Sequence, residues 1–316
     1  MRLGSILLSL MLSLAVFAAP LRAQDTTRTF GPLGDHLAQS SAKKVDIITP
    51  HITDSHEVEL PGGHEWHLPR WAPVHVGGLT VDLSPTKHVI FLILAALLCI
   101  GIMIPAAMSN ERQTAHKGHA HGFAGAIESV VLYLRNEVIL PNVGHHGKAY
   151  VPFGLTLFFF ILFANLLGLL PYGSTATGNI AVTATLAIIT FFVVEAAGMK
   201  ALGPAYIKTI VYWPSDQPFV TKLFMTWIMT PVEIIGKFTK PFALAIRLFA
   251  NMTAGHVVLL ALISLIFTFG SWFVAPAPVL MGVAISMLEI FVAFLQAFVF
   301  TLLASVFIGL IRESAH

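Results

Sequence analysis

The sequence predicts an all-α polytopic membrane protein, and three observations carry the prediction. Of its 316 residues, 56% are hydrophobic and only 11% are charged, whereas about one quarter of a soluble domain is charged. Uncharged apolar stretches of membrane-spanning length recur from residue 89 onward. A long apolar segment near the C-terminus carries its polar side chains at helical spacing. A soluble globular enzyme is thereby excluded. The formal charge of +2, from 18 basic and 16 acidic residues without a basic run, excludes a nucleic-acid binder. Cys99 is the single cysteine, so neither an intramolecular disulfide nor a cysteine-based zinc site can form.

Residues 1–23 open with Met1-Arg2-Leu3, continue uncharged to Pro20 and reach a small-residue site at Leu21-Arg22-Ala23, the pattern of a secretory signal peptide. The alternative is a retained first span, for which the apolar part, residues 6–19, is short. Residues 24–84 form an extracytoplasmic segment, expected to be solvated and partly disordered; the stretch 24–87 holds eight acidic and five basic residues without a sustained period. Its histidines (His36, His51, His56, His64, His67 and His75) are irregularly spaced and follow no fixed metal-ligand pattern.

Residues 85–108 are the first mature span. Ser84-Pro85 supplies an N-cap and first-turn pair, and residues 89–108 are uncharged and mainly apolar. Residues 109–150 carry Arg112, Lys117, Arg135 and Lys148. They also hold Phe123, Ile127, Val130, Val131, Leu134 and Val138 at helical spacing, which predicts an interfacial amphipathic helix. His116, His119, His121, His145 and His146 flank it in what reads as hydrated loop. Residues 151–200 form a membrane hairpin, with spans at 151–170 and 180–199 joined by an uncharged turn. Lys200, Lys208 and Lys222 lie beyond its other end. The positive-inside rule places that loop and residues 109–150 in the cytoplasm, and residues 24–84 outside.

Residues 219–316 are predicted to form a long tilted helix hairpin. The first helix, 219–269, is apolar yet holds Lys222, Glu233, Lys237, Lys240, Arg247, Asn251 and His256. At about 1.5 Å per residue it exceeds a hydrocarbon core of about 30 Å and must tilt or bend, with Pro231 and Pro241 as bend sites. Positions 233, 237, 240, 247 and 251 fall on one helix face. A lone arginine deep in a bilayer costs about 2.5–3.5 kcal/mol on insertion scales, so Arg247 needs a partner or a water-filled cavity. Lys237 and Lys240 read as snorkelling groups near a helix end.

The second helix, about 278–311, carries Glu289 and Gln296 seven residues apart on one face. An antiparallel fold-back about residue 272 brings Arg247 level with Gln296 and His256 level with Glu289. An imidazole beside a carboxylate can exchange protons near neutral pH; a static hydrogen-bonded pair is the alternative.

The run Pro241-Phe242-Ala243-Leu244-Ala245-Ile246-Arg247-Leu248-Phe249-Ala250-Asn251-Met252-Thr253-Ala254-Gly255-His256 closely resembles the signature of the a subunit in the membrane sector of F-type ATP synthases. Leu288-Glu289, Leu295-Gln296-Ala297-Phe298-Val299-Phe300, Pro231-Val232-Glu233 and Asn165-Leu166-Leu167-Gly168-Leu169-Leu170-Pro171 support it, over roughly residues 85–316.

The resemblance implies a stator against which a ring of c subunits turns, with protons crossing by two offset half-channels. It implies b-type peripheral-stalk subunits and the rest of the ATP synthase as further partners, membrane lipid around it, no cofactor and no bond chemistry in this chain. It implies a bacterial inner membrane, with the mature N-terminus outside and the C-terminus cytoplasmic. Arg247 matches the essential rotor-facing arginine; Asn251, His256, Glu289 and Gln296 match positions of the outward half-channel, Asn165 its entrance, and Glu233 the cytoplasmic route. In some members the acid and imidazole at positions 256 and 289 are exchanged, and Gly168 lies where some carry an acidic residue. An independent ion channel or secondary transporter is the rival reading; internal repeats would favour it, and the sequence has none.

Overall fold

A computed structural model describes residues 55, 57–60, 64–71, 74–76, 79–81, 84–117, 122–144, 147–170, 173, 175–211, 213, 218–269, 273 and 275–313. The signal-like residues 1–23, all of 24–54 with His36 and His51, and His56, His119, His121, His145 and His146 lie outside the described residues.

The described residues of the segment 24–84 include two short strand pairs. Strands β1 (Glu57–Leu60) and β2 (His64–His67) pair antiparallel, as do β3 (Val74–Val76) and β4 (Leu79–Val81). The registers Leu60↔His64 and Val76↔Leu79 leave Pro61-Gly62-Gly63 and Gly77-Gly78 between the strands. Gly and Pro are the residue types that short hairpin connections favour, a signal that outweighs the lack of long-range period. Beyond β4 nearly all the described residues are helical.

Helix α1 (Lys87–Lys117) contains the first span and continues nine residues past 108, because a backbone ladder needs no apolar side chains once outside the hydrocarbon. The Ser84 hydroxyl accepts from Trp71 N at 2.9 Å, and Ile90 N donates to Thr86 O at 3.1 Å in the first turn of the helix.

Helix α2 (Gly122–Tyr133), a π-helical turn (Leu134–Ile139) and α3 (Leu140–Val143) occupy the predicted amphipathic region. The apolar stripe divides there. Phe123 and Val130 are exposed, whereas Leu134 and Val138 enter the core.

Helix α4 (Val151–Gly168) has Pro152 in its first turn, where a missing N–H costs nothing. Helix α5 (Ile180–Leu202) is capped by Asn179, whose Oδ1 accepts from Ala181 N at 2.9 Å, and it ends at Gly203 with φ +54°. The long pair is α6 (Phe219–Phe269) and α7 (Pro276–Glu313), with Pro231 and Pro241 inside an unbroken α6. Five of these helices, α1, α4, α5, α6 and α7, are long and apolar enough to cross a membrane.

Their packing departs from a simple sequential hairpin. Helix α4 packs mainly on α7, α5 packs on both α6 and α7, α6 and α7 pack on each other, and α1 packs on α4. The larger of two hydrophobic clusters buries Leu134, Ile161, Leu186, Leu244, Leu248 and Phe300 together, and the smaller joins Ile139, Val143, Val194 and Ile308. Helix α4 is the most enclosed and α6 the least. Hydroxyls inside the spans donate back to their own helix: Thr185 to Ala181 O at 2.7 Å, Thr190 to Leu186 O at 2.9 Å and Ser305 to Thr301 O at 2.8 Å.

The C-terminal end of α7 is seated closely. Arg312 Nη1 donates to Val143 O at 3.2 Å, and a Cβ added at Gly309 would run into the Asn142 carbonyl oxygen. Replacing Gly309 by Val should therefore lower the melting temperature of the solubilised chain, overpacking costing about 1–3 kcal/mol. Replacing Gly282 on the same helix, which has nothing within 4 Å of an added Cβ, is the control expected to leave it unchanged. Coincident melting curves for the two variants would rule out the close seat.

Candidate functional site

The α6–α7 hairpin holds two polar regions with Arg247 between them. Toward the α6–α7 turn, Asn251 Nδ2 donates to Gln296 Oε1 at 3.1 Å. Gln296 is almost wholly buried, and its Nε2 has no partner among the described residues, leaving a donor over for a transient ligand. The fold-back is antiparallel as predicted, but Gln296 pairs with Asn251, one turn along from Arg247.

Glu289 lies against Gly255, the residue before His256: a Cβ at 255 would meet the Glu289 carboxylate. Gly255 is thus the small residue that admits the acid. His256 is half-buried on the same turn.

Asn165 on α4 is fully buried behind this region. Its Oδ1 accepts from Thr177 Oγ1 at 2.7 Å, and its Nδ2 donates to Ala293 O of α7 at 3.5 Å. Nearby, Thr253 Oγ1 of α6 donates to Gly178 O at 3.5 Å, so the 173–179 connection braces α4 and α6 together. Gly168 has no room for the acid some relatives of the signature carry, since an added Cβ would lie 2.9 Å from Thr175 Cα.

Arg247 is exposed on α6 and makes no hydrogen bond or ion pair to another described residue. It lines a groove of about 480 Å³ with Gly236, Lys240, Leu303 and Phe307. Gly236, Lys240 and Leu244 also border the second polar region, a cavity of about 370 Å³ lined by Glu195, Thr209, Glu233 and Lys237 among others. The two hollows therefore share a wall, and the polar lining runs from Arg247 toward the C-terminal ends of α5 and α7.

The second region corrects one expectation and adds residues that sequence reasoning missed. Lys237 does not snorkel outward: its ammonium lies 3.0 Å from Glu195 Oε2 and 3.1 Å from Tyr206 OH, with both partners of the ion pair largely buried. A carboxylate drawn into a span needs a cation more than the cation needs the surface. The missed signal was Glu195, the one acidic residue in the predicted 180–199 span. Lys240 is exposed, with its ammonium 5.3 Å from the centre of the Phe307 ring. Glu233 is exposed on α6 and borders the cavity.

Comparison with known proteins bears on this arrangement. Residues 89–309 match the family model described as the ATP synthase A chain. The chain is 44% identical to ATP synthase subunit a of Chloroherpeton thalassium, over 85% of this chain and 77% of that one. It is 45% identical to ATP synthase subunit a 2 of Chlorobium luteolum, over 87% and 77%, and 39% identical to ATP synthase subunit a of Myxococcus xanthus, over 86% and 90%. With the match spanning every long helix and the whole polar hairpin, the chain belongs to the ATP synthase subunit a family.

Proposed function

We propose that this chain is the stator a subunit of an F-type ATP synthase, guiding protons through two half-channels to and from a ring of c subunits. The observation that carries the reading is Arg247: a permanent cation exposed on a largely apolar helix, without a partner among the described residues, between two polar regions. Helix α6 is steeply inclined in the membrane, since its 51 residues at about 1.5 Å each far exceed a core of about 30 Å. Its exposed face meets the rotor, and b-type stalk subunits hold the chain still.

The chemistry follows from charge. A rotor carboxylate arriving opposite Arg247 is favoured in its ionised form, so it gives up its proton on one side and regains one on the other. Asn251, His256, Glu289, Gln296 and Asn165 serve the outward half-channel; Glu233 serves the cytoplasmic one. The fixed guanidinium keeps the two from joining. Each proton is worth about 2.3 kcal/mol per 100 mV of membrane potential, and ATP is made in a soluble head that this chain does not contain. The chain sits in the bacterial inner membrane, with the N-terminal hairpins outside and the α7 C-terminus in the cytoplasm.

In inverted membrane vesicles, Arg247→Ala should abolish ATP-driven acidification while blotting shows the complex assembled; normal pumping would overturn the assignment and restore the independent-transporter reading. Exchanging His256 and Glu289 together should preserve more pumping than either single replacement by alanine. Equal loss in all three variants would remove the idea that they cooperate.

A further inference from the structure

The ammonium of Lys237 is set in a cage of four oxygens. Glu195 Oε2 lies at 3.0 Å, Glu195 Oε1 at 3.4 Å, Tyr206 OH at 3.1 Å and Thr209 Oγ1 at 3.3 Å. The Tyr206 ring centre is 4.6 Å away. An ammonium has three N–H groups for these four oxygens, so it is held as a compact charge rather than by one directional bond each. A carboxylate, a phenol and an alcohol are also the hard oxygen donors that a bare metal cation selects. The cage opens on the cavity that Glu233 and Lys240 line, and the two side chains of the ion pair are only 15% and 13% exposed.

We propose that Lys237 is a tethered cation that occupies an alkali-metal site in the wall of the cytoplasmic half-channel, making that route selective for protons over sodium and potassium. This rests on the reading of the chain as a proton-conducting stator. The oxygen cage attracts any small monovalent cation entering from the cytoplasm, and a lysine fixed to α6 fills it permanently. A proton passes along the polar wall beside the fixed ammonium, whereas a metal ion in an opened cage is mobile, exchanges with that wall and competes with protons there. The charges facing Glu195 are Lys237, Glu233 and Lys240 of α6, while α7 presents Phe307, Leu310 and Ile311. No other cation among these is within hydrogen-bond distance of the Glu195 carboxylate.

The test uses the purified whole complex in proteoliposomes, each variant's ATP-driven acidification in about 100 mM sodium or potassium chloride being divided by its own rate in choline chloride. Wild type and Lys237→Arg should give a ratio near one. Lys237→Met, which opens the cage but leaves Glu195, should lose about threefold in sodium or potassium by mass action on the vacated site. Adding Glu195→Gln to Lys237→Met should restore a ratio near one. If Lys237→Met does not assemble, Lys237→Gln carries the same expectation. A salt-independent ratio in an assembled single variant, or an assembled variant silent in every salt, would overturn the proposal and leave Lys237 a structural clamp. Failure of the stator reading itself shows separately, as normal pumping by Arg247→Ala.

Discussion

Polar groups placed in hydrocarbon must be matched within the protein or given water, and the architecture follows from how each is treated. Backbone groups are met by helices. Hydroxyls on α5 and α7 return to their own carbonyls, and Asn165 spends its amide on Thr177 and the Ala293 carbonyl. Glu195 is matched by Lys237 across two helices. Against this background Arg247, exposed and without a bond to any described residue, stands apart. Glu195 and Lys237 cancel each other, whereas the charge of Arg247 stays open on the outer face of α6.

Much of the fold was legible in the sequence because membrane spans are set by length and charge alone. The five long helices fall where the dominantly apolar stretches are, and the fold-back of α6 on α7 follows from matching polar positions about one turn. The exact level of Gln296 did not follow. A fold-back about residue 272 predicts Arg247 opposite it, whereas the amide contact is made to Asn251, one turn further along α6. The short hairpins before α1 were illegible by periodicity, since strands of three or four residues give no sustained pattern, although their Gly-Gly turns were in view.

The site was legible where one helix carries its own pattern and illegible where it depends on another. Arg247, Asn251 and His256 announce themselves within one run of α6. Lys237 does not, because its partners lie 42, 31 and 28 residues earlier, on α5 and the turn that follows it. Taken alone, a lysine near an aqueous end is cheapest pointing outward; only the tertiary fold supplies the carboxylate that turns it inward. Gly255 and Gly168 show the converse, since their smallness has meaning only beside Glu289 and Thr175.

The anchoring of α7 has a mechanical consequence. Midway along, its Ala293 carbonyl is tied to α4 through Asn165; at its end, Arg312 grips the Val143 carbonyl, with its guanidinium 5.5 Å from the Tyr150 ring centre. Two fastenings separated along one rod resist both rolling and sliding. A sideways push on the exposed face of α6 is passed through α7 into α4, the most enclosed helix. The hairpin then behaves as a beam braced from behind, so the spacing between Arg247 and its neighbouring polar groups is maintained under load by stiffness, not by any bond at the arginine itself.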